Sequence, residues 1–172
     1  MAGKPKYYWD SSAFIVWLMG EVHSPGELEG FDDVANQVER GEADMFTSEI
    51  TRLEVLQGRM TPQQKDMFNK LFQRSNVVIV DMNNRVTQLA TQIREWNSKI
   101  SSPDAIHLAT AILYEADEFH TTDGGGKRKR PGDLIPLSGN VAGYKLKICK
   151  PQVSQYSLLS GITGFDLGKK PQ

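Results

Sequence analysis

The sequence lacks the features that define several large classes of protein. A single cysteine among 172 residues excludes an internal disulfide and fits a reducing, cytoplasmic compartment. No apolar run reaches the roughly 18 residues of a membrane span, and the N-terminus shows no signal-peptide cleavage pattern. The net charge of −1 gives no overall basic character, although a local basic patch can be hidden in such a total. We therefore expect a cytoplasmic protein with no membrane association.

Short β-like runs alternate with longer helical patterns along the chain, which predicts an α/β sandwich around a mainly parallel sheet. We expect one domain over residues 1–151, and residues 152–172 as its C-terminal extension or a flexible tail. Strands are predicted at Lys6–Trp9, Met45–Thr47, Asn76–Val80 (buried on both faces), Glu118–Thr122 and Tyr144–Lys150. Helices are predicted at about Ala13–Met19 after serine caps, Phe31–Arg40, Ser48–Gln57 with Ser48 as cap, from Thr61-Pro62 onward, at Val86–Trp96 and at Ser101–Glu115, with a loop over Gly20–Gly30.

Four acids occupy positions where this fold class places ligands. Asp10 and Asp123 follow predicted strands, and ligands of parallel sheets gather beyond the carboxyl ends of strands. Glu54 and Asp104 lie on predicted helices, on or beside the apolar stripe, in the case of Glu54 that of Leu53 and Leu56. An acid in that position costs on the order of 2–7 kcal/mol unless a partner neutralises it.

A divalent cation would neutralise several acids at once. Carboxylate oxygens suit hard ions such as Mg²⁺ or Mn²⁺, which can bind a phosphodiester and activate water. Simpler roles remain open for three of the acids: Asp10 as a helix cap, Asp104 as a first-turn acid and Asp123 as a turn residue. Glu54 has the weakest such alternative, because acids in the middle of a helix usually face water.

Four segments, followed by a closing strand and proline, resemble PIN-domain nucleases, most closely VapC-type toxins. The third segment is the most specific, because Asp-Ala followed by alanines at this spacing is typical of that group. The resemblance spans residues 7–151 in the expected order and implies a PIN-like α/β/α sandwich. The segments are Trp9–Ala13, Thr47–Val55, Pro103–Ala111, Thr121–Asp123 and Leu146–Pro151.

The resemblance implies a metal-dependent ribonuclease, the toxin of a toxin–antitoxin pair. By this resemblance Asp10, Glu54, Asp104 and Asp123 would hold one or two Mg²⁺ or Mn²⁺ ions and the attacking water. It further implies an RNA substrate, an inhibiting protein antitoxin and a homodimer. Two supporting roles also follow from it: Ser12 would orient Asp10 or contact phosphate, and Thr121 would support the geometry around Asp123.

The sequence departs from the family pattern after the fourth acid. In the family an aromatic or hydrophobic residue is common a few positions after the fourth acid. Here Asp123 is followed by three glycines and four consecutive cations, so among the four acids the assignment of Asp123 as a ligand is the one that this departure affects. The cations form either a solvated loop or a contact that guides the RNA backbone toward the acids. They are Lys127, Arg128, Lys129 and Arg130.

Two other functions compete with the ribonuclease. A PIN fold that binds RNA or protein without cutting is disfavoured because all four acids are present. Another Mg²⁺-dependent phosphotransfer enzyme is disfavoured because the sequence has no Gly-rich phosphate loop. The histidines show no zinc spacing, His107 is interpreted as a core residue or a support to a ligand, and Cys149 as a buried, inert thiol.

Overall fold

A five-stranded parallel sheet forms the centre of the molecule. The computed structural model describes residues 3–20, 26–57, 60–126 and 130–153. Within them the strand order is β3-β2-β1-β4-β5, and every pairing is parallel. The strands are β1 (Lys6–Trp9), β2 (Asp44–Ser48), β3 (Val77–Val80), β4 (Glu118–His120) and β5 (Ile148–Cys149).

Helices cover both faces of this sheet. Successive side chains of β1 point to opposite sides, so neighbouring residues of this strand belong to different cores. Tyr8 belongs to a core shared with the last two helices, whereas Trp9 belongs to a core shared with the first four. This confirms the predicted PIN-like α/β sandwich. The helices are α1 (Ser11–Met19), α2 (Glu27–Glu39), α3 (Ile50–Leu56), α4 (Pro62–Leu71), α5 (Asn84–Trp96) and α6 (Ser102–Leu113). In the described ranges none of them is both long and apolar enough to cross a membrane.

The strand order determines where ligands can bind. The chain runs outward from β1 through β2 to β3, and then returns to place β4 on the other side of β1. A crevice forms beyond the carboxyl ends of the strands at such a reversal. Asp10 directly follows β1, and Asp123 follows β4 by three residues. Both acids therefore lie at this switch point.

Two predicted helix starts are wrong: the one after the serines that precede Ala13, and the one at Ser48. The first helix begins at Ser11 because Asp10, rather than a serine, is its cap: Asp10 Oδ1 accepts the Ala13 N–H at 2.9 Å. Ser48 belongs to β2 and does not cap α3, and its buried hydroxyl has no hydrogen-bond partner among the described residues. By contrast, α4 begins at Thr61-Pro62 as predicted, and Thr61 caps it in a reciprocal pair with Gln64.

The predicted loop over Gly20–Gly30 is wrong in its last part. Residues 21–25 lie outside the described residues, but α2 already begins at Glu27 and includes Gly30. A Cβ on Gly30 would lie 2.1 Å from the carbonyl oxygen of Pro151. This glycine therefore serves the packing of α2 against the C-terminal segment rather than a turn.

The strand prediction needs two corrections at the edges of the sheet. The strand β3 is parallel as expected but not buried on both faces, since it lies at the sheet edge and Val78 is 50% exposed. At the opposite edge the ladder of β5 is limited to Ile148–Cys149, shorter than the alternating pattern suggested. Residues 154–172, most of the predicted C-terminal extension, lie outside the described residues.

Candidate active site

Asp10 is a buried carboxylate at the carboxyl end of the central strand. Its Oδ1 accepts hydrogen bonds from the Ser12 hydroxyl at 2.7 Å and from the Ala13 N–H at 2.9 Å. Burial raises the pKa of Asp10, and the nearby His107 and these hydrogen bonds oppose that rise. Asp10 thus caps α1 and at the same time presents a costly buried charge to the crevice.

Glu54 lies one strand away, on α3, and is held by two donors. Its Oε2 accepts from the Ser11 hydroxyl and from His107 Nε2, the latter at 2.8 Å. Burial would raise the pKa of Glu54, but these two hydrogen bonds outweigh it and lower that pKa. The carboxylate is therefore ionised at neutral pH.

The apolar stripe assigned to α3 from the sequence is wrong in one member. Leu53 is 59% exposed, and the buried residues of α3 are Thr51 and Val55. The short helix turns this face inward because Thr51 bonds to Thr47 at the end of β2. Glu54 lies beside that buried face, where its side chain is about one-third exposed.

The two remaining acids approach the crevice from α6 and from the loop after β4. Asp104 lies in the first turn of α6, where its Oδ2 accepts a 2.5 Å hydrogen bond from the capping Ser101. Burial raises the pKa of Asp123 to about 6, with further contributions from the charges of Asp104, Asp133 and Asp10. This coupling places Asp10 and Asp104 within reach of the charge of Asp123.

The donor set of this crevice fits a divalent cation. Asp10 and Asp104 both repel the charge of Asp123, and Glu54 has a second oxygen that takes neither of its two hydrogen bonds. Among the described residues, no three of these acids bring their oxygens within 4.8 Å of one another. Mg²⁺ keeps several waters and binds through one or two carboxylates, so it does not require three converging acids.

The two supporting residues of the sequence analysis lie between the first and the fourth acid. The Ser12 hydroxyl, which donates to Asp10, also lies 3.2 Å from Thr121 Oγ1. Thr121 Oγ1 in turn accepts the backbone N–H of Asp123 at 3.0 Å. Two hydroxyls thus join the carboxyl ends of β1 and β4.

Two further residues of the site were missed in the sequence. Ser11 was interpreted as a helix cap, yet its hydroxyl donates to Glu54. Asp133 is 7% exposed and raises the pKa of Asp123, although ten residues separate the two. Gly124 permits this approach, since a Cβ there would lie 2.7 Å from Asp133 Cβ. No sequence pattern indicates the contact, because it depends on how the intervening loop returns.

The basic run after the fourth acid lies mostly outside the described residues. Residues 127–129 are not described, so their predicted contact with RNA stays a prediction. Arg130 is exposed, and its backbone N–H donates to Asp133 Oδ2 at 2.6 Å. The last cation of the run is therefore anchored through its backbone next to the missed acid.

A second polar cluster lies on the side of the sheet that carries Trp9, opposite the side that carries Tyr8. Among the described residues it is the one group whose ligand atoms come within 4.8 Å of one another, namely Glu118, His120 and Cys149. Trp9 Nε1 donates to His120 Nδ1 at 3.0 Å, so the hydrogen of the neutral ring lies on Nε2 and is donated to Glu118. With its Nε2 protonated, His120 is a poor metal ligand.

The rest of this cluster is also satisfied internally. Lys147 Nζ lies 2.6 Å from the other oxygen of Glu118, and the hydrogen bond from His120 lowers the pKa of Glu118 to about 2 against the effect of burial. Burial and Glu118 raise the pKa of Cys149 to about 11, so its thiol stays protonated. Cys149 is half-buried rather than buried, and its thiol is unreactive in this state.

Comparison with one solved structure supports the fold, and a second aligns less well. A VapBC2 complex from Rickettsia felis, bound to a DNA fragment from its promoter, aligns with a TM-score of 0.57 and 13% identity, covering 83% of this chain and 98% of that one. A toxin–antitoxin complex from Klebsiella pneumoniae aligns with a TM-score of 0.49 and 21% identity, covering 76% of this chain and 97% of that one. A search of the curated proteins finds no match.

The family assignment comes from the sequence profile of the PIN domain. This profile matches residues 7–130, which is most of the chain and includes all four acids of the crevice. The match agrees with the five-stranded parallel sheet and with the acids gathered at its switch point. The chain belongs to the PIN domain family.

Proposed function

We propose that this protein is a Mg²⁺- or Mn²⁺-dependent endoribonuclease that acts in the cytoplasm as the toxin of a toxin–antitoxin pair. The observation that carries the proposal is that the charges of Asp10 and Asp104 act on Asp123 at the switch point, while the ionised Glu54 shares its neighbour His107 with Asp10. Asp10, Glu54, Asp104 and Asp123 would hold the metal. When bound, the metal would supply charge for the phosphodiester and a water of lowered pKa.

The chain's own residues would prepare this site. Ser12 and the Ala13 N–H hold Asp10 on one oxygen, and Ser101 holds Asp104 in the first turn of α6. A phosphodiester has no affinity for a bare group of carboxylates. Binding of RNA would therefore depend on the metal and on cations outside the acidic crevice.

The toxin role rests on the family and on the fold of the solved complexes. PIN domains are generally nucleases, and the Rickettsia felis structure that shares this fold is a VapBC2 complex. We propose a protein antitoxin as partner, and a homodimer as the form of the free protein. An acidic crevice would favour an inhibitor that inserts basic or bulky groups into it.

The proposed activity is tested by cleavage of RNA with the purified full-length chain. We expect products with Mg²⁺ or Mn²⁺, none with EDTA, and recovery when excess metal is restored. Asp104→Asn, purified in parallel, controls for contaminating nucleases and should lose the activity. Cleavage that persists in EDTA or in Asp104→Asn would contradict the proposal. A folded protein that binds RNA with metal but never cuts it would instead be a non-catalytic PIN-fold binding module.

The basic run provides a separate test of how RNA reaches the site. Replacing all four cations, Lys127, Arg128, Lys129 and Arg130, with glutamine should weaken binding of single-stranded RNA. It should also reduce the slope of log affinity against log salt by up to roughly 3, at about 0.7 per phosphate contact. Fluorescence anisotropy at several salt concentrations measures both quantities. An unchanged affinity and slope would leave the run as a solvated loop.

A further inference from the structure

A chain of hydrogen bonds leads from the core to Glu54. The backbone N–H of Ser48 donates to the Tyr8 hydroxyl at 3.1 Å, and that hydroxyl lies 2.7 Å from His107 Nδ1. His107 Nε2 lies 2.8 Å from Glu54 Oε2. Tyr8 is fully buried and His107 is 2% exposed, so water does not compete for these bonds.

The direction of these bonds follows from the donors available. An ionised carboxylate only accepts hydrogen bonds, so His107 Nε2 must carry a hydrogen. A ring with its hydrogen on Nε2 accepts at Nδ1, and the Tyr8 hydroxyl is the donor 2.7 Å away, while its oxygen accepts from Ser48 and also lies beside the side chains of Thr47 and Thr110. The tyrosine thus supports the tautomer in which the histidine donates to the glutamate.

The same arrangement occurs on the other face of the sheet. Trp9, the next residue of β1, donates to His120 Nδ1, and His120 Nε2 donates to Glu118. Here, however, Lys147 occupies the second oxygen of the glutamate. At Glu54 both hydrogen bonds fall on Oε2, and Oε1 takes neither of them. Glu54 therefore accepts both of these hydrogen bonds on one oxygen, whereas Glu118 accepts a hydrogen bond on each of its two oxygens.

We propose that Tyr8 and His107 are positioning residues that hold Glu54 on its Oε2 and so present Oε1 to the divalent cation. This inference rests on the proposed function, in which Glu54 is a metal ligand. In this proposal His107 acts through Glu54, to which its Nε2 is hydrogen-bonded. Partners of this kind fix the direction of a metal ligand, and their loss typically weakens metal binding 10- to 100-fold.

Two variants with one matched control test the positioning role. His107→Phe removes the donor, and His107→Gln keeps an amide N–H near the place of Nε2. His120→Phe makes the same aromatic change at an equally buried histidine of the second cluster. Titration calorimetry of the metal-free full-length chain with Mn²⁺ should show at least about tenfold weaker binding for His107→Phe. We expect a smaller loss for His107→Gln and none for His120→Phe.

Two calorimetric outcomes would overturn the proposal. A folded His107→Phe with wild-type Mn²⁺ affinity would show that His107 only fills the core. Equal losses in His107→Phe and His107→Gln would assign the effect to packing. Thermal denaturation of each variant establishes whether it is folded. If His107→Phe does not fold, the Mn²⁺ affinity of His107→Gln and the NMR spectrum described in the next paragraph test the proposal.

The tautomer can be read without metal or RNA. The chain has three histidines, so a long-range ¹⁵N–¹H NMR spectrum of their rings is simple to assign. We expect a hydrogen on Nε2 of His107, with the Nδ1 signal shifting in Tyr8→Phe while His120 stays unchanged. A His107 ring whose Nε2 carries no hydrogen would overturn the proposal. A wild-type chain that binds no Mn²⁺ would contradict the proposed function itself, and the spectrum would still decide the role of Tyr8.

Discussion

Replacing Asp10 with asparagine is expected to abolish RNA cleavage and to leave the metal-free protein at least as stable as before. Asparagine keeps the oxygen that accepts from Ser12 and Ala13, so the start of α1 is retained. The change removes a buried charge whose pKa is raised by burial. We expect at least about a 100-fold loss of cleavage and Mn²⁺ affinity, with a gain of up to about 1–2 kcal/mol in unfolding free energy.

The opposite signs of these two effects distinguish a site acid from a structural one. Asp33 offers a matched control, because it is 5% exposed, accepts from Gln37 on its own helix, and lies outside the crevice. Asp33→Asn should leave cleavage unchanged and should not stabilise the protein. Gel-based cleavage assays and urea denaturation in EDTA provide the measurements. A clear loss of stability in Asp10→Asn would show that the carboxylate is mainly a helix cap.

The contribution of Asp123 to the stability of the metal-free protein is expected to fall as the pH rises from about 4 to above 6. Burial and the charges of Asp104, Asp133 and Asp10 raise the pKa of Asp123 from 3.8 to about 6. Below 3.8 both the folded and the unfolded chain hold this proton. Between the two values only the folded chain holds it, so stability falls until the pH has passed 6. At about 1.4 kcal/mol per pKa unit, discounted for partial exposure, the loss is about 1–2 kcal/mol.

Asp123→Asn isolates this contribution from the other titrating groups. The variant should match the wild type at pH 4 and be the more stable protein at pH 7 in EDTA, as measured by urea denaturation. Asp133→Asn should shift the wild-type transition to lower pH, because it removes one of the charges acting on Asp123. Adding Mn²⁺ at pH 7 should reverse the loss. If the stability difference between Asp123→Asn and wild type does not change with pH, Asp123 does not face the other acids.

Local sequence patterns predicted most elements of the fold, because those elements depend on near neighbours. Thr61-Pro62 placed the start of α4, and the aromatic run before Asp10 placed β1. The errors occurred where a distant segment decides the local role. Gly30 has the composition of a loop residue, but the chain at Pro151 passes so close that only glycine fits in the helix.

The candidate site divides in the same way. The sequence by itself predicted the four acids as a site, since their positions relative to strands and helices, and the resemblance, depend only on order and spacing. Tertiary structure decided which partners hold them: Ser11 and His107 on Glu54, and Asp133 beside Asp123. These partners come from segments up to 53 residues away. Hydrogen bonds and charge coupling act through space, so only the folded chain could reveal them.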